Sequence, residues 1–187
     1  MQFKNIIVAA TLAASAAALP ATASGKTAFS VVAIDSGSGV QYKSFGATKG
    51  SLLAGLLIQG AACEGLIDNI NYATFYIDNG ALYLYNDGTS AAQEVYVDRS
   101  GTGQGIIKYT SDSDKVSANG ELTGWAISES SLQFGGKDLI ACPNSIQGSW
   151  SIWADAGVSN PGQNKDCVGI VARVSTDSTP NSCVYNE

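Results

Sequence analysis

Hydrophobic positions along this chain recur with a period of two far more often than 3.6. Short runs rich in Val, Ile, Tyr, Phe and Trp, bounded by turn residues, predict strands over 27–34, 72–77, 81–85, 94–97, 105–109, 125–128, 132–134, 139–142, 150–153 and 168–174. Between two of these runs, Asn79-Gly80 tolerates positive φ at both positions and predicts a tight type I′ hairpin. Asn86-Asp87-Gly88, Gly101-Thr102-Gly103, Asn119-Gly120 and Gly135-Gly136 punctuate the rest. The apolar run 52–58 fits either a buried strand or a helical turn, and its length favours the strand. Many short strands without alternating helices predict an all-β fold, a single antiparallel sandwich or barrel-like domain.

The two ends differ from this pattern. Residues 1–23 predict a secretory signal peptide: Lys4 supplies the positive start, an Ala/Leu-rich apolar stretch follows, and Ala21-Thr22-Ala23 places small residues at a cleavage site. The apolar stretch is too short to cross about 30 Å of hydrocarbon. Residues 24–175 then form the β-rich domain, and 176–187 a Ser/Thr/Pro-containing tail with no hydrophobic segment for a lipid anchor. No Asn-x-Ser/Thr sequon occurs, and Asn181-Ser182-Cys183 is only the cysteine variant, which leaves O-glycosylation open.

Export changes the reading of the cysteines. Cys63, Cys142, Cys167 and Cys183 are an even set in a secreted chain, which predicts two disulfides with three connectivities open. The pairing Cys142–Cys167 with Cys63–Cys183 is preferred because it ties the tail back onto the domain. A metal site is disfavoured: no Cys-x-x-Cys is present and the chain has no His.

The absence of His also removes the usual Ser and Cys triads. Ten Lys and Arg against sixteen acids give a net −6, and loss of Lys4 with the leader makes it −7. Such a chain repels nucleic acid and anionic membrane. Gly101-x-Gly103-x-Gly105 resembles a phosphate loop only superficially, because a strand, not a helix, is predicted to follow. Asp112-x-Asp114 begins like a calcium loop, but Ser117 and Thr123 occupy its sixth and twelfth positions. No cofactor is predicted. Glu94, Glu121 and Glu129 are candidates, by residue type alone, for a carboxylate-based glycosidase, which needs no His. Tyr83, Tyr85, Trp150 and Trp153 are candidate sugar-contacting faces. Trp150 and Trp153, three apart, point to opposite sides of one regular strand.

Several blocks together resemble a known family. Phe29 to Ser38 (Phe-Ser-Val-Val-Ala-Ile-Asp-Ser-Gly-Ser), Tyr96 to Gly101 (Tyr-Val-Asp-Arg-Ser-Gly), Ala141-Cys142-Pro143 with the following Trp150, and Asp166 to Ile170 (Asp-Cys-Val-Gly-Ile) look like the blocks of fungal cell-wall proteins of the PhiA type. The likeness runs roughly from Phe29 to Val174. It implies a secreted, wall-associated protein that works as a structural or interaction component and not as an enzyme. It implies a role in forming spore-bearing cells and conidia, with a part in stress protection. It also implies wall polysaccharide or wall proteins as partners and, since the family includes allergens, host IgE. No catalytic residue comes with it. The alternatives from the residues themselves are a secreted carbohydrate-binding protein and, behind it, a glycosidase.

Overall fold

The computed structural model describes residues 26–64 and 71–187; the leader predicted over 1–23 lies outside them. The described chain is built from fifteen strands: β1 Phe29–Ile34, β2 Phe45–Thr48, β3 Ser51–Ala54, β4 Ala62–Cys63, β5 Phe75–Asp78, β6 Ala81–Leu84, β7 Gln93–Asp98, β8 Ile106–Thr110, β9 Gly120–Glu121, β10 Trp125–Ser128, β11 Ser131–Phe134, β12 Leu139–Cys142, β13 Trp150–Ala154, β14 Val168–Thr176 and β15 Cys183–Val184. All pairings are antiparallel. They close a ring in the order β1-β5-β6-β7-β8-β3-β13-β12-β14, with β14 returning to β1. The expected all-β domain is therefore barrel-like, and closure removes most of the exposed sheet edge. The ring is tight at β1–β14, paired along Phe29↔Thr176 to Ile34↔Val171, and narrow at β1–β5, joined through Phe29↔Phe75.

Alternation decides what lies inside. In β1, Phe29, Val31 and Ala33 are buried while Ser30, Val32 and Ile34 are half-buried on the outside. β14 follows suit, with Ile170 and Ala172 inward and Gly169, Val171 and Arg173 outward. Phe45, Phe75, Leu82, Val97, Leu139 and Ile152 join them in one core.

The hairpin at Asn79-Gly80 is as expected: φ is 51° and 81°, and Asp78 pairs with Ala81. Two hairpins of the same kind carry no Asn-Gly signal. Lys49-Gly50 (φ 49° and 64°) joins β2 to β3, and Glu129-Ser130 (φ 49° and 64°) joins β10 to β11. In the second, two side-chain-bearing residues hold left-handed backbone, because a type I′ turn, whose twist matches the flanking strands, needs positive φ at both central residues.

Three stretches differ from expectation. The run 52–58 is a strand only as far as Ala54; Gly55, at φ 75°, turns the chain, and Leu57 and Ile58 end up 65% and 67% exposed. The run 72–77 pairs only from Phe75, because Ala73 N–H donates to Phe45 O at 2.7 Å and Thr74 N–H to Tyr185 Oη at 3.3 Å. β2 gives no alternating signal because all four of its residues are buried.

The stretch from Thr176 onward is woven into the domain. β15 pairs with β4, and Cys63 lies opposite Cys183 and is bonded to it. Beyond this bond Tyr185 enters the core at 2% exposure. Its backbone exchanges hydrogen bonds with the Gln93 side chain, Tyr185 N–H to Oε1 at 2.8 Å and Nε2–H to Tyr185 O at 2.7 Å. Asn186 Oδ1 accepts from Thr48 Oγ1–H at 2.8 Å and Lys49 N–H at 3.0 Å.

Candidate functional site

The four aromatic candidates fall in three places. Tyr83 faces outward from β6 and stacks on Tyr76 with centroids 5.0 Å apart at 13°, while Tyr85 meets Tyr76 edge-on at 6.3 Å. Lys26 Nζ lies 4.2 Å from the Tyr76 ring centre. Tyr83 donates its hydroxyl to Glu94 Oε1 at 3.0 Å, and burial with this carboxylate pushes its phenol up to about 12. Tyr85 is 5% exposed, so its ring has no open face for a sugar. Trp150 packs against the core beside Gly39, where a Cβ would lie 3.2 Å from Cζ2. Trp153 is on the other face of β13, donates Nε1–H to Ser151 Oγ at 2.9 Å, and covers Gly162, where a Cβ would lie 2.4 Å from Cη2. Opposite faces for the two tryptophans follow from strand geometry.

Two of the three candidate carboxylates are engaged elsewhere. Glu121 accepts from Arg99 Nε–H at 2.8 Å and Nη2–H at 2.5 Å. The Arg99 hydrogen bonds hold its carboxyl below the ordinary range, the opposite of what a proton donor to a leaving oxygen needs. Glu94 accepts from Tyr83, and Glu129 is in the β10–β11 turn.

The glycine-rich segment 101–105 is the β7–β8 connection and is followed by a strand. Asp98 organises it: Oδ1 accepts from Ser100 N–H at 2.9 Å and Oδ2 from Ser117 Oγ–H at 2.9 Å. The hydrogen bonds from Ser100, then Ser117, hold the Asp98 carboxyl below its ordinary value. A depressed folded pKa means stability that is present above the unfolded value near 4 and is lost as pH falls through the folded value. Asp98→Asn is therefore expected to lower the melting temperature at pH 6 and to lose that deficit progressively as pH falls below about 4. Thermal scans at pH 6 and pH 3 check this, and a deficit of equal size at both would refute it. In the Asp112 turn, Oδ1 accepts from Asp114 N–H at 3.0 Å and caps the 3-10 turn Ser113–Lys115. Among the described residues no group of three His, Cys, Asp or Glu stands where it could hold a metal ion.

Among the described residues an open groove crosses the outward face of β12, β14 and β1. Ile140 of β12 pairs with Gly169 of β14, and Val171 of β14 with Ile34 of β1. Gly169 carries no side chain, and a Cβ there would meet nothing within 4 Å. Two depressions of about 440 Å³ and 370 Å³ share Asp138 and Gly169 and so form one trough. Its floor is apolar, from Ile140, Val171 and Ile34, and its rim is polar. Asp35 and Ser36 stand at one end, Asp138 in the middle, and Asp155 with Ser159 at the other.

The rim is pre-set. Asp138 Oδ1 accepts from Gln133 Nε2–H at 2.9 Å and Ser131 Oγ–H at 3.4 Å. Asp155 accepts from Gly157 N–H at 2.7 Å and pairs with Lys137 at 3.2 Å. The Gly157 bond, helped by Lys137, holds the Asp155 carboxyl below its ordinary value. The Cys142–Cys167 bond ties β12 to the start of β14 beside the trough. Sequence reading missed this site because its acids follow β1, precede β12 and follow β13, and only the pairing order gathers them at one end of the sheet.

Comparison with known proteins agrees with these observations. A family model described as PhiA-like secreted protein matches residues 29–186. The chain is 56% identical over 187 residues to the cell wall protein phiA of Aspergillus niger, covering 99% of this chain and 98% of that one. It is 54% identical to the cell wall protein phiA of Aspergillus fumigatus over the whole of both chains. It is 36% identical to that of Arthroderma benhamiae, over 75% of this chain and 78% of the other. No solved structure matches. A match across the whole barrel, with relatives this similar, shows that the chain belongs to the PhiA-like family of secreted, cell-wall proteins.

Proposed function

We propose that the protein is a non-catalytic component of the wall that holds neutral wall polysaccharide in the trough over Gly169. The observation that supports this reading most is the trough's pairing of an apolar floor with a rim of hydrogen-bond acceptors. A pyranose offers the same pattern, C–H groups on its faces and hydroxyls around its edge. The trough is open at the surface, which suits a polymer. A net charge of −6 disfavours anionic polymers. Both disulfides are internal and no free thiol is present among the described cysteines, so the reading makes retention non-covalent.

The test is co-sedimentation with insoluble chitin and β-glucan. Wild type is expected to sediment with at least one of them, and 1 M salt is expected to release little. Gly169→Phe fills the floor at a backbone that needs no positive φ. It is expected to weaken binding at least about tenfold, equivalent to about 1.4 kcal/mol, without changing the melting temperature. Equal sedimentation of variant and wild type would show that the trough is not the binding surface. A role in forming spore-bearing cells and conidia, a part in stress protection and recognition by host IgE rest on the family resemblance alone. Conidial counts in a deletion strain test the first of these.

A further inference from the structure

We propose that the hydroxyls of Ser178 and Thr179 carry O-linked sugar. The segment between β14 and β15 is short and pinned at both ends. At its start Asp177 N–H donates to Ala28 O at 2.9 Å. At its end Ser182 Oγ accepts from Asp87 N–H at 3.0 Å, and Ser182 O accepts from Glu64 N–H at 2.9 Å, next to the Cys63–Cys183 bond. Between these anchors Ser178 and Thr179 are exposed, and no hydrogen bond within the described residues engages either hydroxyl. Thr179 is held in place by its own backbone, whose N–H donates to Asp177 Oδ1 at 3.0 Å. Pro180 keeps the residue before it extended. The result is two adjacent free hydroxyls on a fixed, outward stretch of Ser, Thr and Pro, the composition of O-glycosylated segments.

The neighbouring hydroxyls sit on paired or partly covered backbone: Ser175 and Thr176 are exposed but lie in β14, paired with Ser30 and Phe29 of β1. Ser182 is half-buried, and its Oγ accepts from Asp87 N–H. Asn181-Ser182-Cys183 ends in a cysteine committed to a disulfide, and the chain has no Asn-x-Ser/Thr sequon. The family's secretion brings the chain past sugar donors activated as polyprenyl phosphates or nucleotides. In the transfer the Ser or Thr oxygen bonds to the anomeric carbon and the anomeric C–O bond to phosphate breaks. The phosphate leaves with that electron pair, and the hydroxyl proton passes to a base of the transferase.

The experiment is a mass measurement on the full chain secreted from a filamentous fungal host. After reduction, trypsin cuts behind Arg173 and releases 174–187 as one peptide, since no Lys or Arg follows. The expected result is a ladder of hexose additions on that peptide, with fragmentation placing the first sugar on Ser178 or Thr179. The double variant Ser178→Ala/Thr179→Ala is expected to return the peptide to its bare polypeptide mass with an unchanged melting temperature. A wild-type peptide found only at the bare mass would overturn the proposal. So would a ladder that persists in the double variant, which would place the sugar on another hydroxyl.

Discussion

Replacing Cys63 and Cys183 together by Ala is expected to lower stability by about 5 kcal/mol, the loop-closure value for a separation of 120 residues. For a chain of this size that is a fall in melting temperature of roughly 10–20 °C. The reason is partly the unfolded chain, which gains the freedom of a long loop, and partly what the bond holds in place. β4 and β15 are two residues each, too short to pair on their own. Their pairing positions Tyr185 in the core and lets its backbone satisfy the buried Gln93 side chain. Cys142→Ala/Cys167→Ala removes a bond that spans only 25 residues and is expected to cost about 3.5 kcal/mol. Urea unfolding of the two double variants gives the order directly. A smaller loss for Cys63/Cys183 than for Cys142/Cys167 would contradict it.

The second large effect is expected at Gly105. This residue ends the β7–β8 connection at φ 93°, and a Cβ there would lie 2.0 Å from Ala154 O. The contact cannot open freely. Gly105 N–H donates to Asp98 O at 2.8 Å, and Ala154 N–H donates to Gly105 O at 2.8 Å. The approach joins the connection to β13 and so helps close the ring between β8 and β13. Gly105→Ala combines left-handed backbone strain with a backbone clash and is expected to cost at least about 3 kcal/mol. Gly101→Ala, in the same loop, meets nothing within 4 Å and has no positive φ, so its effect is expected within about 0.5 kcal/mol. Thermal melts of the pair separate site from loop; similar melting temperatures would show that Gly105 is not a packing point.

The period-two pattern carried most of the fold, because a strand with one buried face writes that face into every second residue. β10 and β12 have the expected bounds, Trp125–Ser128 and Leu139–Cys142. The pattern is silent where both faces are buried, as in β2, and where a strand is two residues long, as in β4 and β15. Turn chemistry was legible at Asn79-Gly80 but not at Glu129-Ser130, where the strands impose a backbone that the residues do not advertise. The cysteines, read with the leader, pointed to two disulfides, and the preferred pairing is the one present.

The amino-acid order alone thus determined the all-β class and the disulfide count, because local periodicity and cysteine arithmetic are properties of the chain. It also carried the family blocks. Tertiary structure decided which aromatics stay open. Tyr85 has the same local look as Tyr83, yet packing against Tyr76 buries it, while Tyr83, Trp150 and Trp153 stay half-buried. It also decided the trough. Asp35, Asp138 and Asp155 are distant in sequence, and Gly169 reads as an ordinary strand glycine. Only the β13-β12-β14-β1 order sets those carboxylates around the missing side chain, and strand order depends on long-range pairing that no local pattern encodes.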